Sequence, residues 1–100
     1  MQGRAAGNRG MCIRRRVVYS GEVQGVGFRY TARSLARGRA VTGFVRNLPD
    51  GRVELVVEGG DDDVCGLLRD IQEAMGGYIR DARALDEPPT GEFGGFGVAF

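Results

Sequence analysis

Apolar residues recur with two different periods along the first part of this chain, and each change of period marks a new predicted element. Residues 13–20 include the β-forming run Val17-Val18-Tyr19 and predict a strand. Apolar positions then recur near helical spacing, which predicts an amphipathic helix over residues 28–38 that ends at Gly38. The helical positions are Phe28, Ala32, Leu35, Ala36 and Ala40.

The next segment has the pattern of a β-hairpin. Residues 41–48 are rich in β-formers, Pro49-Asp50-Gly51 supplies a turn, and residues 52–58 alternate between apolar and polar side chains. The alternation places Val53, Leu55 and Val57 on one face of the second strand. Glu54 and Glu58 fall on the other face, which is expected to be solvated.

The last part of the chain predicts one more helix and two strands. Asp61-Asp62-Asp63 favours a helix N-terminus, and Gly76-Gly77 ends the helix. Between them, apolar residues follow the spacing i, i+3, i+4, i+7, i+11 at Val64, Leu67, Leu68, Ile71 and Met75. Residues 78–86 predict a strand, 87–91 break it, and a short strand follows at Phe96, Val98 and Phe100.

The resulting order, β-α-β-β-α-β with a short last strand, predicts an α+β fold of the ferredoxin-like type. In this sandwich two helices pack on one face of an antiparallel sheet. Residues 1–11 show no periodicity and are predicted to be a disordered tail, so that residues 12–100 form one domain. The fold alone assigns no function.

The composition of the chain argues against nucleic acid, membranes and metal ions as binding partners. The net charge of +1 gives no bulk attraction to nucleic acid or to a membrane, and no apolar run reaches the roughly 18 residues that a membrane span needs. Cys12 and Cys65 lie far apart in a chain without histidine, which predicts free thiols in a reducing cytosol and no metal site. We therefore expect a cytoplasmic monomer that binds neither nucleic acid nor membrane.

A glycine-rich turn between the first strand and the first helix is the main candidate for chemistry. Such a turn directs several backbone N–H groups toward one point, and the helix N-terminus adds positive potential there. Arg29 adds a guanidinium in the first helical turn. Because the chain has no histidine and no lysine, the anion is expected to be a phosphoryl group whose leaving group needs no acid. A carboxylate, with a pKa of about 4, is such a leaving group.

Two segments of the chain resemble the signature segments of the acylphosphatases. They are GEVQGVGFR at residues 21–29 and TGFVRN at residues 42–47, followed by LPDG. The ending, PTGEF and then GF, is similar to that of the family as well, so the resemblance covers about residues 13–100. It implies hydrolysis of acyl phosphates without a metal or any other cofactor.

The resemblance also implies roles for particular residues. Arg29 matches the family's phosphate-binding arginine, and Asn47 matches the asparagine that orients the attacking water. The phosphate cradle matches the backbone of Gly21, Glu22, Val23, Gln24, Gly25 and Val26. Glu22 departs from the family's pattern, since a carboxylate in the cradle repels phosphate unless its side chain points to solvent.

Other interpretations of the same residues remain open. The glycines alone also suit a tight strand-to-helix connection, and an asparagine before a turn is commonly a turn former. A module that binds an acyl or carbamoyl phosphate without hydrolysing it is the alternative function. Gly43-Phe44-Val45 echoes an RNA-recognition motif, but Thr42 and Asn47 stand where stacking aromatics belong, so RNA binding is not expected.

Overall fold

The computed structural model describes residues 12–100, and the predicted disordered tail lies outside this range. Five strands and two α-helices follow one another in the predicted order. They are β1 (Cys12–Gly21), α1 (Phe28–Ala36), β2 (Val41–Asn47), β3 (Val53–Gly60), α2 (Asp61–Met75), a 3₁₀ turn (Gly76–Tyr78), β4 (Ile79–Glu87) and β5 (Phe96–Ala99). The first helix ends two residues before Gly38, which lies in the following turn.

The strands form one sheet in the order β4-β1-β3-β2-β5. The pairs β1–β3, β1–β4 and β2–β3 are antiparallel, as predicted. The short last strand, however, pairs parallel to β2, so the sheet is mixed and not antiparallel throughout. Alternation identified β5 as a strand, but alternation carries no information about the direction of its partner.

The core lies between one face of the sheet and the two helices, which confirms the predicted two-layer arrangement. From β3, Val53, Leu55 and Val57 are buried on this face. Helix α2 contributes Val64, Leu67, Ile71 and Met75. Phe28, the first residue of α1, packs on Tyr19 of β1 with 4.9 Å between the ring centroids. Burial of Tyr19 raises the pKa of its phenol, which stays neutral.

The opposite face of the sheet contradicts one prediction. Glu54 and Glu58 are not solvated, because only 7% of Glu54 and 2% of Glu58 is exposed. Glu54 binds Arg16 and Arg46, and Glu58 accepts hydrogen bonds from Arg14 and from the amides of Thr90 and Gly91. These contacts measure 2.9 Å from Arg14, 2.9 Å from Thr90 and 3.0 Å from Gly91. Burial raises the pKa of Glu58, but these donors outweigh it and lower that pKa to about 2.

The chain between β4 and β5 supplies the cover over Glu58. This segment connects the two edges of the sheet, and Phe93 within it packs against Phe44 of β2 with 5.8 Å between ring centroids. The Gly95 carbonyl accepts a hydrogen bond from Gly43 at 3.0 Å. The crossing segment therefore covers part of the sheet face opposite the helices.

In the range from Cys12 to Phe100, no helix is long and apolar enough to cross a membrane. Cys12 and Cys65 are both free and exposed, as expected.

Candidate active site

Sheet topology brings the two segments predicted from the sequence to the same end of the sheet. Both β1 and β2 pair antiparallel to β3 and therefore run parallel to each other. Tyr19 and Asn47, near their C-terminal ends, face Val53 of β3 from opposite sides. The loop of residues 21–27, which follows β1, and Asn47, which ends β2, consequently lie at one end of the sheet.

The loop turns back on itself through glycine conformations. Gly25 and Gly27 have φ angles of 80° and 81°, in the left-handed region that side chains disfavour. Gly21 has a φ of 129°, and a Cβ atom there would collide with the backbone of Tyr78 and Arg80. The path of the loop therefore favours glycine at Gly25 and Gly27, and at Gly21 it leaves no room for a side chain.

The loop and the first helical turn contain a continuous run of backbone N–H donors that form no hydrogen bond within the described residues. Among residues 12–100, no acceptor is found for the backbone N–H groups from Val23 to Tyr30. The first helical bond runs from Thr31 N–H to Gly27 O at 3.0 Å. Helix α1 has neither a side-chain cap nor an acidic residue in its first turn. This end of the helix is therefore a positive site with unsatisfied donors.

Glu22 does not belong to this run of donors. Its N–H group donates to the Tyr78 carbonyl at 2.9 Å, which ties the start of the loop to the chain before β4. This amide is therefore already paired in the structure, and the predicted place of Glu22 in the cradle stays a prediction. The Glu22 side chain is exposed to solvent, which meets the condition under which its carboxylate can be tolerated near a phosphate.

Arg29 lies within this run of donors, in the first turn of α1. It is half-buried, and its guanidinium lies 4.9 Å from the centroid of the Phe100 ring. Within residues 12–100 Arg29 makes no ion pair, whereas Arg14 and Arg16 of β1 each bind carboxylates. A cation in the first turn of a helix is unfavourable against the helix dipole. A bound anion would remove that cost.

Asn47 is half-buried at the end of β2, and its side chain makes no hydrogen bond to another residue of the described domain. The turn that follows is held instead by Asp50, whose Oδ1 accepts from the Arg52 N–H at 3.1 Å. The turn-former interpretation of Asn47 therefore finds no contact to support it. Its amide is therefore available both as a hydrogen-bond donor and as an acceptor.

Gln24 contributes a side-chain function that the sequence did not reveal. Its Nε2 donates to the carbonyls of Leu48 and Arg52 at 2.8 and 2.9 Å, and so connects the loop to the turn just after Asn47. The sequence predicted only a backbone role for this residue. A long amide side chain in a glycine-rich loop was the one available signal.

The described residues contain no group of three or more His, Cys, Asp and Glu side chains that could hold a metal ion. The residues that the sequence predicts for the site would supply backbone amides, the guanidinium of Arg29 and the side-chain amide of Asn47.

The sequence of the chain is similar to those of known acylphosphatases. A sequence model of the acylphosphatase family matches residues 15–98. An acylphosphatase of Acaryochloris marina is 40% identical over 88 residues, which cover 88% of this chain and 92% of the relative. One of Anaeromyxobacter dehalogenans is 42% identical over 89 residues, covering 88% and 96%.

Solved structures match as well. The crystal structure of acylphosphatase from Bacillus subtilis superimposes with a TM-score of 0.80 at 26% identity, covering 90% of this chain and all of that one. The fold, the two signature segments and relatives aligned over nearly their whole length lead to one conclusion: this chain belongs to the acylphosphatase family.

Proposed function

We propose that this chain hydrolyses the carboxyl–phosphate bond of acyl phosphates and releases a carboxylate and inorganic phosphate. The observation that carries the proposal is the run of backbone N–H groups from Val23 to Tyr30, which have no acceptor within residues 12–100. Arg29 belongs to this run, and its guanidinium makes no ion pair within the same residues. Such a run at a helix N-terminus is suited to a phosphoryl group. The family to which the chain belongs supports the same activity.

In this proposal the phosphoryl group is bound by the backbone and by Arg29. The amides of residues 23–26 and of the first turn of α1 surround its oxygens, and Gly21 gives the loop its direction. Glu22 contributes its position in the loop and not its N–H group. Arg29 donates two parallel charge-assisted hydrogen bonds, which become stronger as charge spreads over the oxygens in the transition state.

Asn47 orients the attacking water. One hydrogen of the water donates to the amide oxygen of Asn47, which leaves a lone pair directed at phosphorus. The water oxygen forms the new P–O bond, while the bond to the carboxyl oxygen breaks and its electron pair leaves with the carboxylate. The remaining proton of the water passes to the phosphate or to solvent. Because a carboxylate is a stable anion at neutral pH, no general acid is required.

Two substitutions test these roles. Phosphate release from benzoyl phosphate is measured for wild type, for Arg29→Ala and for Asn47→Ala. Each substitution removes one preorganised contact to the transition state, and we expect kcat/KM to fall by about 10²–10³. Arg37→Ala is the matched control, because Arg37 is an exposed arginine at the other end of the same helix.

The possible results separate the interpretations. Full activity in both variants contradicts the assignment of Arg29 and Asn47. Binding of inorganic phosphate by a wild-type protein that releases none from benzoyl phosphate supports the non-catalytic binding module instead.

A further inference from the structure

A surface pocket adjoins the phosphate cradle on its β4 side. It has a volume of about 270 Å³ and is lined by Gly21, Glu22, Gly77, Tyr78, Ile79 and Arg80. Two of these residues, Gly21 and Glu22, also begin the loop that carries the unsatisfied amides. A molecule that places its phosphate in the cradle therefore has this pocket within reach for the group attached to the phosphate.

The pocket presents two charges of opposite sign, and neither is used elsewhere in the described domain. Glu22 and Arg80 are both exposed, and no ion pair or side-chain hydrogen bond within residues 12–100 involves either of them. Most other charged residues of the sheet are paired, including the neighbours Asp81 and Arg83 at 3.1 Å. Two unpaired opposite charges beside one pocket are available to a ligand.

The walls between the two charges are apolar or neutral. Tyr78 is 44% exposed and offers part of its ring, Ile79 is half-buried, and Gly77 adds no side chain. The volume lies just below the range of about 300–1,000 Å³ that holds drug-sized ligands. A group of a few heavy atoms therefore fits, with a short carbon chain on the apolar wall and one charge toward each of Glu22 and Arg80.

We infer that this pocket binds the acyl half of the substrate and selects acyl phosphates in which the acyl group is an amino acid. Its α-ammonium group pairs with Glu22, its α-carboxylate pairs with Arg80, and its side-chain carbonyl leads to the phosphate in the cradle. The inference rests on the proposed hydrolysis. It also gives the unusual carboxylate of Glu22 a function that does not involve phosphate.

Four acyl phosphates of related structure separate the contribution of the substrate's ammonium group from that of its carboxylate. β-Aspartyl phosphate carries both charges, succinyl phosphate only the carboxylate, β-alanyl phosphate only the ammonium group, and propionyl phosphate neither. The readout is the ratio of kcat/KM for each charged substrate to kcat/KM for propionyl phosphate. We expect wild type to prefer β-aspartyl phosphate to propionyl phosphate by about 25-fold, since each of the two exposed charge pairs contributes about fivefold, or about 1 kcal/mol.

Each variant should change the kcat/KM ratio only for the substrates that carry the charge its residue binds or repels. Arg80→Gln should lower the ratio about fivefold for β-aspartyl and succinyl phosphate, with the β-alanyl ratio preserved. Glu22→Gln should lower it for β-aspartyl and β-alanyl phosphate, and raise it for succinyl phosphate because a repulsive carboxylate is gone. Arg83→Gln, on the same strand but outside the pocket, should keep all ratios of the wild type.

Three results overturn the inference. One is a wild type without preference for β-aspartyl phosphate, and another is a pair of variants that change all ratios alike. In both cases hydrolysis of propionyl phosphate leaves the proposed function standing. The third is the absence of phosphate release from any of the four substrates, which removes the proposed function and this inference together.

Discussion

At the scale of single residues, we expect the glycines of the loop to affect both stability and activity. A Cβ atom at Gly25 or Gly27 meets nothing within 4 Å, so a side chain there is opposed only by the left-handed backbone. We expect Gly27→Ala to lower the free energy of unfolding by about 1–2 kcal/mol. It should also reduce kcat/KM for benzoyl phosphate, because relaxation of the strain redirects the amides that follow. Urea unfolding and phosphate release measure the two effects.

Gly38→Ala is the control for this prediction. Gly38 lies outside the left-handed region and has only an ordinary contact near its Cβ position, at 3.6 Å from the Leu35 carbonyl. Alanine should be neutral or slightly stabilising there. Equal loss of stability in the two variants would contradict the assignment of backbone strain to Gly27.

The sequence predicts those candidate site residues that can be recognised from the few residues around them. The strand-to-helix glycines, Arg29 at the start of the helix and Asn47 before a turn are all visible in short segments. The bond from the Glu22 amide to Tyr78 and the bonds from Gln24 to the hairpin turn were not predictable. Their acceptors are backbone carbonyls from distant parts of the chain. Every residue has such a carbonyl, so residue type does not show which one accepts a hydrogen bond.

At the scale of elements, Gln24 connects the cradle to the hairpin that presents Asn47. Gln24→Met keeps the length of the side chain but removes both hydrogen bonds to the turn. We expect a loss of stability of about 1–2 kcal/mol and a fall in kcat of about tenfold or more, because Asn47 is then less well placed against the cradle. Inhibition by inorganic phosphate should keep its wild-type constant.

A lower kcat with an unchanged inhibition constant for phosphate distinguishes a positioning role of Gln24 from a purely structural one. Gln72→Met, at an exposed glutamine of α2, provides the control for the change of side-chain type. Unaltered kcat in Gln24→Met, or a loss of phosphate binding as large as the loss of turnover, would show that Gln24 does not position Asn47.

The elements themselves were predicted to within a few residues, but the environment of β3 was not. Alternation correctly assigned Glu54 and Glu58 to the face opposite the core. It could not show that this face is covered, because the cover comes from Thr90, Gly91 and arginines of other strands. The covering segment follows two prolines and has no regular period, so its position is determined only by the folded sheet.

At the scale of the whole molecule, the buried ionic layer determines the response to acid. The pKa of Glu58 in the folded protein, about 2, lies below the value near 4.3 expected for an unfolded chain. The pKa of Glu87 is lowered in the same direction by hydrogen bonds from Arg16 and Arg14. Ionised Glu58 therefore stabilises the fold above about pH 4.3, and this contribution is lost as the pH falls toward 2.

Glu58→Gln tests this dependence. At pH 7 we expect the free energy of unfolding to fall by about 3 kcal/mol, because Arg14 and two amides lose a buried anionic acceptor. The difference between wild type and variant should shrink between about pH 4.5 and pH 2. Glu92→Gln is the control, since Glu92 also contacts Arg14 but is 57% exposed, and it should cost less than about 1 kcal/mol. A difference that stays constant with pH would contradict the role of Glu58.

The position of β3 between β1 and β2 has a consequence for how activity arises during folding. The cradle and Asn47 belong to strands that never pair with each other, and both are aligned by a strand that follows them in the chain. Pairing between distant segments forms late, because loop closure must come first. We therefore expect an early folding intermediate with only local helices and hairpins to be inactive, so that the appearance of turnover during refolding measures completion of the sheet.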